Sequence, residues 1–313
     1  VSISHSSAAD GLRSLAKSSV ALSFWSPPYH VGKGYEEGQS LERWEEMLAE
    51  VIDLHSKPLK LGGFLVINIA DILCFPDSLM PRFQASNPSR RRCDVTVEDV
   101  VKARAENPGS SRYEIAALLG CSEQTVDRRL NGNNIRGGKH EAATRVRLSG
   151  PMLERVAYQS GIYLYDRKIW TKDPAWANSR WTTNTLKGVQ EFEDIYVFWK
   201  PGPYVVDRSK LSKREWSSWG QRGIWSIPSV PVNDVHEAMF PVELARRVVR
   251  LYSSQGDMVI DPFVGSGTTA VACAETSRRF IGFDIDPACV EFAKRRVSGV
   301  MNQGLLFGSE GDS

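Results

Sequence analysis

Residues 256–277, GDMVIDPFVGSGTTAVACAETS, pass from a short apolar run through a Gly-rich turn into a small-residue amphipathic segment. A hydrophobic strand that ends in Asp261-Pro262-Phe263-Val264-Gly265-Ser266-Gly267-Thr268-Thr269 predicts a strand, a tight turn and a helix. Glycines matter there because they let a ligand approach the backbone at a helix N-terminus. The third glycine of a dinucleotide fingerprint is missing. RRFIGFDID (278–286) follows as another buried strand and puts Asp284 at its end. A carboxylate one strand beyond a Gly-rich turn is placed to accept both hydroxyls of a ribose. Turn and acid together describe a nucleoside cofactor without saying which one.

Working outward, PVELARRVVRLY (241–252) predicts an amphipathic helix before the turn, and PACVEFAKRRV (287–297) another after it. Far upstream, SVALSFW (19–25) reads as a buried strand that stops at Ser26-Pro27-Pro28-Tyr29. Two prolines cannot continue a central strand, so this is a rigid loop at a strand end. LERWEEMLAEVIDLHSKPLKLG (41–62) puts Trp44, Leu48, Val51, Ile52 and Leu59 near helical spacing before Gly62-Gly63 interrupts it, and GGFLVINIAD (62–71) predicts a second buried strand. GIYLYDRKIWTK (161–172) and FEDIYVFWK (192–200) have strand character and are expected to pair as an antiparallel edge. The polar, basic stretch from Pro201 to Trp225 reads as a surface loop.

Between about Pro76 and Ser149 helical patterns do not alternate with strands, and Arg90-Arg91-Arg92 forms a basic run. SRYEIAALLGCSEQTVDRRLNG (111–132) places Ile115, Leu118 and Leu119 before a turn at Gly120, Ser122 as an N-cap, and Val126 and Leu130 at helical spacing. That is a helix-turn-helix pattern, with VTVEDVVKARAEN (95–107) as its support helix and limits near Asn87 and Lys139. Glu123, Gln124, Thr125, Arg128 and Arg129 are expected on its exposed, DNA-facing side. The expected organisation is 1–75 and 150–303 as two parts of one α/β domain, 76–149 as an inserted helical domain, and 304–313 as a mobile tail.

Length and composition are consistent with this. The chain has 313 residues, 42% of them hydrophobic and 24% charged, which suits one globular α/β core plus a smaller unit. Its 39 Lys and Arg against 37 Asp and Glu leave a net charge of +2, so any nucleic-acid surface must be local. The sequence shows no membrane span and no signal-peptide core, so a cytoplasmic protein without a membrane partner is expected. The five cysteines include no CxxC pair and suggest neither a disulfide framework nor a zinc site.

The sequence resembles the SAM-dependent DNA amino-methyltransferases of the β class. The resemblance rests on FPVELARRVVRLYSSQGDMVIDPFVGSGTTAVAC (240–273), RRFIGFDIDPACVEFAKRRV (278–297) and SPPY placed before the Gly-rich turn. It implies a Rossmann-like methyltransferase fold, circularly permuted, with catalytic half first and cofactor half last. It also implies S-adenosylmethionine as cofactor, bordered by Phe240 and Pro241, lined by Asp261, Pro262, Phe263, Gly265, Ser266, Gly267, Thr268 and Thr269, and held at the ribose by Asp284. Asp10 resembles the family's contact near the adenine. Ser26, Pro27, Pro28 and Tyr29 would be catalytic, with a flipped-out base stacked on Tyr29. Serine at the first of these positions resembles the cytosine-N4 enzymes, whereas aspartate usually marks adenine-N6 enzymes. Ala21 and Trp25 depart from the common pattern, where an acid and a threonine are usual. The partners implied are double-stranded DNA and a cognate restriction endonuclease acting on the same site.

The interval in which family members carry a recognition segment is short here. Asp207 to Arg222, with Lys210, Lys213, Arg214, Trp216 and Trp219, is therefore expected to touch phosphates while the insertion selects sequence. An adenine-N6 methyltransferase and a non-catalytic, nucleotide-sensing DNA-binding regulator are the competing readings.

Overall fold

The computed structural model describes residues 1–28, 40–71, 82–83, 93–130, 142–143, 146–173, 188–230 and 239–307. Two compact units divide the chain: Val1–Phe75, Val146–Trp176 and Val189–Ser313 in one, Pro76–Arg145 with Ala177–Gly188 in the other. The Arg90–Arg92 run and Tyr29 lie outside the described residues, as do both ends of the expected helix-turn-helix unit.

In the larger unit the chain runs β1 (Ser2–His5), α1 (Ala8–Ser14), β2 (Val20–Trp25), α2 (Leu41–Leu54) and β3 (Leu59–Ile69) before leaving it. The smaller unit holds β4 (Arg82–Phe83), α3 (Val97–Glu106), α4 (Arg112–Leu118), α5 (Glu123–Leu130) and β5 (Ala142–Ala143). On its return the chain forms α6 (Gly150–Gln159), β6 (Tyr163–Thr171), β7 (Phe192–Trp199), the short α7 (Lys213–Glu215), β8 (Ile224–Ser226) and α8 (Val242–Tyr252). It ends with β9 (Met258–Asp261), α9 (Thr268–Glu275), β10 (Arg279–Asp284) and α10 (Pro287–Phe307).

One sheet orders these strands β1-β10-β9-β2-β3-β7-β6-β8. The first five are mutually parallel, and β7 runs antiparallel to both β3 and β6. Strand alternation explains the two layers of helices. Leu22, Phe24, Phe64, Val66, Ile195 and Val197 point to the face covered by Leu244, Val248 and Val249 of α8 and by Ala270 and Val271 of α9. Ser23 and Trp25 point the other way, where His55 at the C-terminal end of α2 bonds to Ser23 and stacks on Trp25. Each fully buried aliphatic or aromatic side chain stabilises the fold by roughly 1.5–3 kcal/mol.

The expected circularly permuted Rossmann-like architecture is present, and its topology locates the site. From β9 the chain crosses through α9 to β10 on one side, and from β2 it crosses through α2 to β3 on the other. The neighbours β9 and β2 therefore form a topological switch point, with a crevice outside their carboxyl ends.

Several elements differ from the sequence reading. β3 starts at Leu59, so residues 59–61, read with the preceding helical stretch, belong to the strand, and Gly62-Gly63 lie inside it instead of opening it. The β2–β3 register steps from Val20↔Leu59 to Leu22↔Phe64, and these glycines absorb the bulge. Gly62 has φ +78°, and a Cβ on it would sit 2.3 Å from the Pro203 carbonyl oxygen. The β6–β7 pair forms as expected but is not the edge, because β8 pairs outside β6. The 201–225 stretch is not simply a surface loop: Leu211, Trp219 and Trp225 enter the core. α10 continues to Phe307, past the expected start of the tail at 304, and 308–313 lie outside the described residues. No helix among the described residues is long and apolar enough to cross a membrane.

Candidate active site

At the end of β9, Asp261 is buried and its Oδ1 accepts the Phe263 amide N–H at 2.9 Å. Burial pushes its pKa up to about 7, opposed by the bonds from Phe263 and Thr269. Among the described residues no cationic side chain forms an ion pair with it. The turn then uses two left-handed glycines, Gly265 at φ +49° and Gly267 at φ +78°. A Cβ on Gly267 would collide with Ala293 at 2.7 Å, whereas one on Gly265 would meet nothing nearer than 3.9 Å. The backbone at Gly265 thus faces open space. Pro262 is buried, Ser266 Oγ and Thr268 Oγ1 share a hydrogen bond of 3.1 Å, and α9 begins at Thr268 without a side-chain cap.

Asp284 ends β10 beside this turn. Its Oδ2 accepts the Gly265 N–H at 2.7 Å and its Oδ1 accepts the Asp286 N–H at 2.9 Å. Each oxygen keeps a second lone pair, enough for the two hydroxyls of a ribose. Ile285, the next residue, is 76% exposed, an apolar surface beside the acid that sequence reading missed. Only its position directly after the strand-terminal acid could have pointed to it.

Ser26-Pro27-Pro28 leaves β2 one strand away. Trp25 is fully buried, with its ring centroid 5.3 Å from that of Phe263, and Thr269 Oγ1 donates to the Phe24 carbonyl at 3.4 Å. Pro27 is buried while Ser26 and Pro28 are half-buried. The Pro28 carbonyl accepts the Trp44 indole N–H at 2.7 Å, which ties the loop to α2. His55 is buried and neutral: burial lowers its pKa to about 4, with Nδ1 on the Val51 carbonyl at 2.6 Å and Nε2 on Ser23 Oγ at 2.8 Å. Neither Trp44 nor His55 was singled out as a site residue, because each reads as an ordinary helix residue until β2 is placed beside it.

Phe240 packs its ring 5.2 Å from Phe24, and Pro241 is the N-cap of α8. Residues of β2, β9, β10 and the start of α8 therefore converge on one end of the sheet. Asp10 lies exposed in the first turn of α1, where Ser7 Oγ and Arg13 Nη1 donate to its two carboxylate oxygens. β1 runs beside β10, pairing His5 with Asp284.

A family model described as DNA methylase, N6_N4_Mtase, matches residues 20–295. The chain belongs to the N6/N4 DNA methylase family. The Type II methyltransferase M.BglI of Bacillus subtilis is 56% identical over 286 residues, 91% of this chain and 82% of that protein. The solved structure of TTHA0409 from Thermus thermophilus, described as a DNA modification methylase complexed with S-adenosyl-L-methionine, is 25% identical. It has a TM-score of 0.61 and covers 96% of this chain and 94% of that one. PvuII DNA methyltransferase, described as cytosine-N4-specific, shares the fold at 16% identity and a TM-score of 0.53, over 97% and 92% of the two chains. The methylase uses S-adenosylmethionine and acts on DNA. The open Gly265 backbone, the remaining lone pairs of Asp284 and the buried Asp261 carboxyl fit the cofactor's adenosyl and ammonium groups.

The smaller unit contains the expected helices. Val100 and Ala103 of α3, Ile115 and Ala116 of α4 and Val126 of α5 share a core. Thr125 N–H is capped by Ser122 Oγ at 3.3 Å. Two expectations fail here. Leu118 is 62% exposed instead of buried in the helix pair. Glu123, Thr125, Arg128 and Arg129 are half-buried rather than exposed. Arg112 of α4 forms ion pairs with Glu123 and Asp127, Thr125 bonds to Ser122, and Arg129 Nε donates to the Val95 carbonyl at 2.9 Å. Gln124 lies on α5 between them.

In the larger unit Lys213 and Arg214 are exposed on α7 and Trp216 and Lys210 are half-buried. Trp219 cannot lie on an open phosphate-binding surface: it is buried, with the Arg247 and Arg250 guanidinium groups 5.3 and 5.9 Å from its ring centroid.

Proposed function

We propose that the methylase modifies the exocyclic N4 amine of a cytosine flipped out of duplex DNA, with Ser26, Pro27, Pro28 and Tyr29 as catalytic residues. The observation that carries this reading is a serine, not a carboxylate, at the carboxyl end of β2, one strand from the Gly-rich turn. When bound, S-adenosylmethionine supplies an already activated methyl group on a sulfonium. An exocyclic amine is a poor nucleophile because its lone pair is delocalised into the ring. Ser26 Oγ and the Pro27 carbonyl supply two acceptors for its two hydrogens, which directs the lone pair toward the methyl. The prolines and the Trp44 bond hold those acceptors still, so positioning supplies much of the acceleration, on the order of 7–11 kcal/mol at best.

In the same reading Asp261 holds the cofactor's ammonium, Asp284 its ribose, Ile285 and Asp10 border its adenine, and Phe240 and Pro241 its methionine part. Pro262, Phe263, Gly265, Ser266, Gly267, Thr268 and Thr269 line it. The α4–α5 pair, through Gln124, Thr125 and Arg128, selects sequence, with Arg129 helping to hold α5, and Lys213 and Arg214 hold phosphates. Similarity to M.BglI supports a modification role paired with a restriction endonuclease.

The test is to incubate the protein with mixed-sequence DNA and methyl-labelled S-adenosylmethionine, digest to nucleosides and identify the product by mass spectrometry. N4-methylcytosine, lost in Ser26→Ala, is expected. N6-methyladenine would overturn the base assignment, and absence of both would overturn the catalytic reading.

A further inference from the structure

The Gly-rich turn is backed by a residue far outside its motif. α10 lies against Gly267 at Ala293, and one turn further on Arg296 reaches back to the loop. Its Nη1 donates to the Ser266 carbonyl at 2.6 Å and to Thr268 Oγ1 at 3.3 Å, and lies 3.9 Å from Met239 Sδ, next to Phe240. The same guanidinium sits 6.0 Å from the centroid of the Phe292 ring. Burial lowers the Arg296 pKa from the ordinary arginine value, yet the group stays charged.

The Ser266–Gly267 peptide is thus fixed at both ends, since the Gly267 N–H donates to the Val264 carbonyl at 2.8 Å. That matters because the glycines around it have access to both signs of φ, which makes flipping this peptide the inexpensive alternative for the turn. A charge-assisted bond to the Ser266 oxygen opposes the flip. In this orientation of the turn the Gly265 N–H lies on Asp284 and the Gly265 backbone faces open space.

We propose that Arg296 is a positioning residue for S-adenosylmethionine: it locks the Ser266–Gly267 peptide in the ligand-receiving orientation and ties it to the segment leading into Phe240. This rests on reading the turn as the cofactor site.

The experiment measures S-adenosylmethionine binding to the full chain by calorimetry for the wild type, Arg296→Ala, Arg296→Lys and Asp284→Ala, with thermal midpoints and steady-state kinetics alongside. Arg296→Ala is expected to weaken binding about tenfold, as for loss of a charged hydrogen bond. The kinetic loss should fall on KM for the cofactor more than on kcat, and Arg296→Lys should recover part of the affinity. If Asp284→Ala weakens binding while Arg296→Ala stays within about twofold of wild type, the proposal fails and the cofactor reading stands. If neither substitution changes affinity, the cofactor reading itself falls. If Arg296→Ala does not fold, Arg296→Gln carries the test, and a folded Arg296→Gln with wild-type affinity overturns the proposal. Equal losses in kcat and KM that follow a collapsed thermal midpoint would also overturn it, by reducing Arg296 to a stabilising residue.

Discussion

At the residue scale, Asp261 faces opposed demands. Burial raises its pKa to about 7, so the cofactor-free carboxyl is close to half-protonated at neutral pH. The sign follows from linkage. The folded pKa lies above the unfolded one, so stability is fully present below about 4 and is lost as pH rises through about 7. Binding an ammonium reverses the preference, because only the carboxylate can pair with it. Affinity for S-adenosylmethionine should therefore rise with pH up to about 7 and fall again as the cofactor's own α-ammonium, ordinarily near about 8, loses its proton, and Asp261→Asn should remove the rising limb while weakening binding. Calorimetric titrations between pH 5.5 and pH 8.5, a span of roughly 1.5 units either side of the Asp261 value, check this. An unchanged slope in the variant would remove Asp261 from cofactor binding. In sequence Asp261 is legible as part of the turn, but its charge state depends on burial set against the hydrogen bonds from Phe263 and Thr269.

At the element scale, Ser26-Pro27-Pro28 after β2 are held in place for two reasons. The prolines restrict φ, and α2 grips them through the Trp44 bond to the Pro28 carbonyl. Trp44→Phe keeps most of the buried ring and removes that bond, at a cost of about 0.5–1.5 kcal/mol in stability. Turnover should fall more than this stability loss explains, with cofactor affinity unchanged. Rapid-quench rates beside thermal melts would show it, and wild-type turnover in a folded Trp44→Phe would mean the prolines suffice. The Pro201–Trp225 stretch shows where element reading failed. Leu211, Trp219 and Trp225 are spaced too irregularly among polar residues to predict burial. They are buried because Arg247 and Arg250 of α8 cover Trp219, and Glu215, lowered to about 2 chiefly by Arg250, ties α7 to that helix.

At the scale of the whole molecule, the insertion leaves and rejoins the sheet unit close together. Asp71 Oδ1 accepts the Ser149 N–H at 2.9 Å and its hydroxyl at 3.1 Å. Replacing residues 76–145 with a short Gly/Ser linker should therefore preserve the sheet and cofactor binding while abolishing sequence preference. Calorimetry and methylation of DNA libraries separate the two outcomes. Retained preference would move recognition out of the insertion, and lost cofactor binding would show that the sheet unit needs it.

The sequence by itself determined the elements whose patterns are local: the strand–turn–helix around Gly265, the acid ending β10, the proline-stopped strand β2 and the helices α3 to α5. Through the family resemblance their order also implied the permuted arrangement. Only the tertiary structure decided what depends on residues far apart in the chain. It placed β1 beside β10, bulged β3 at Gly62-Gly63 under the Pro203 carbonyl and turned Trp219 inward. It turned Arg129 of the helix-turn-helix toward its own unit and brought Arg296 behind the Gly-rich turn. A hydrogen bond or a buried ring spanning tens or hundreds of residues leaves no periodicity to read, because its partner is chosen by packing.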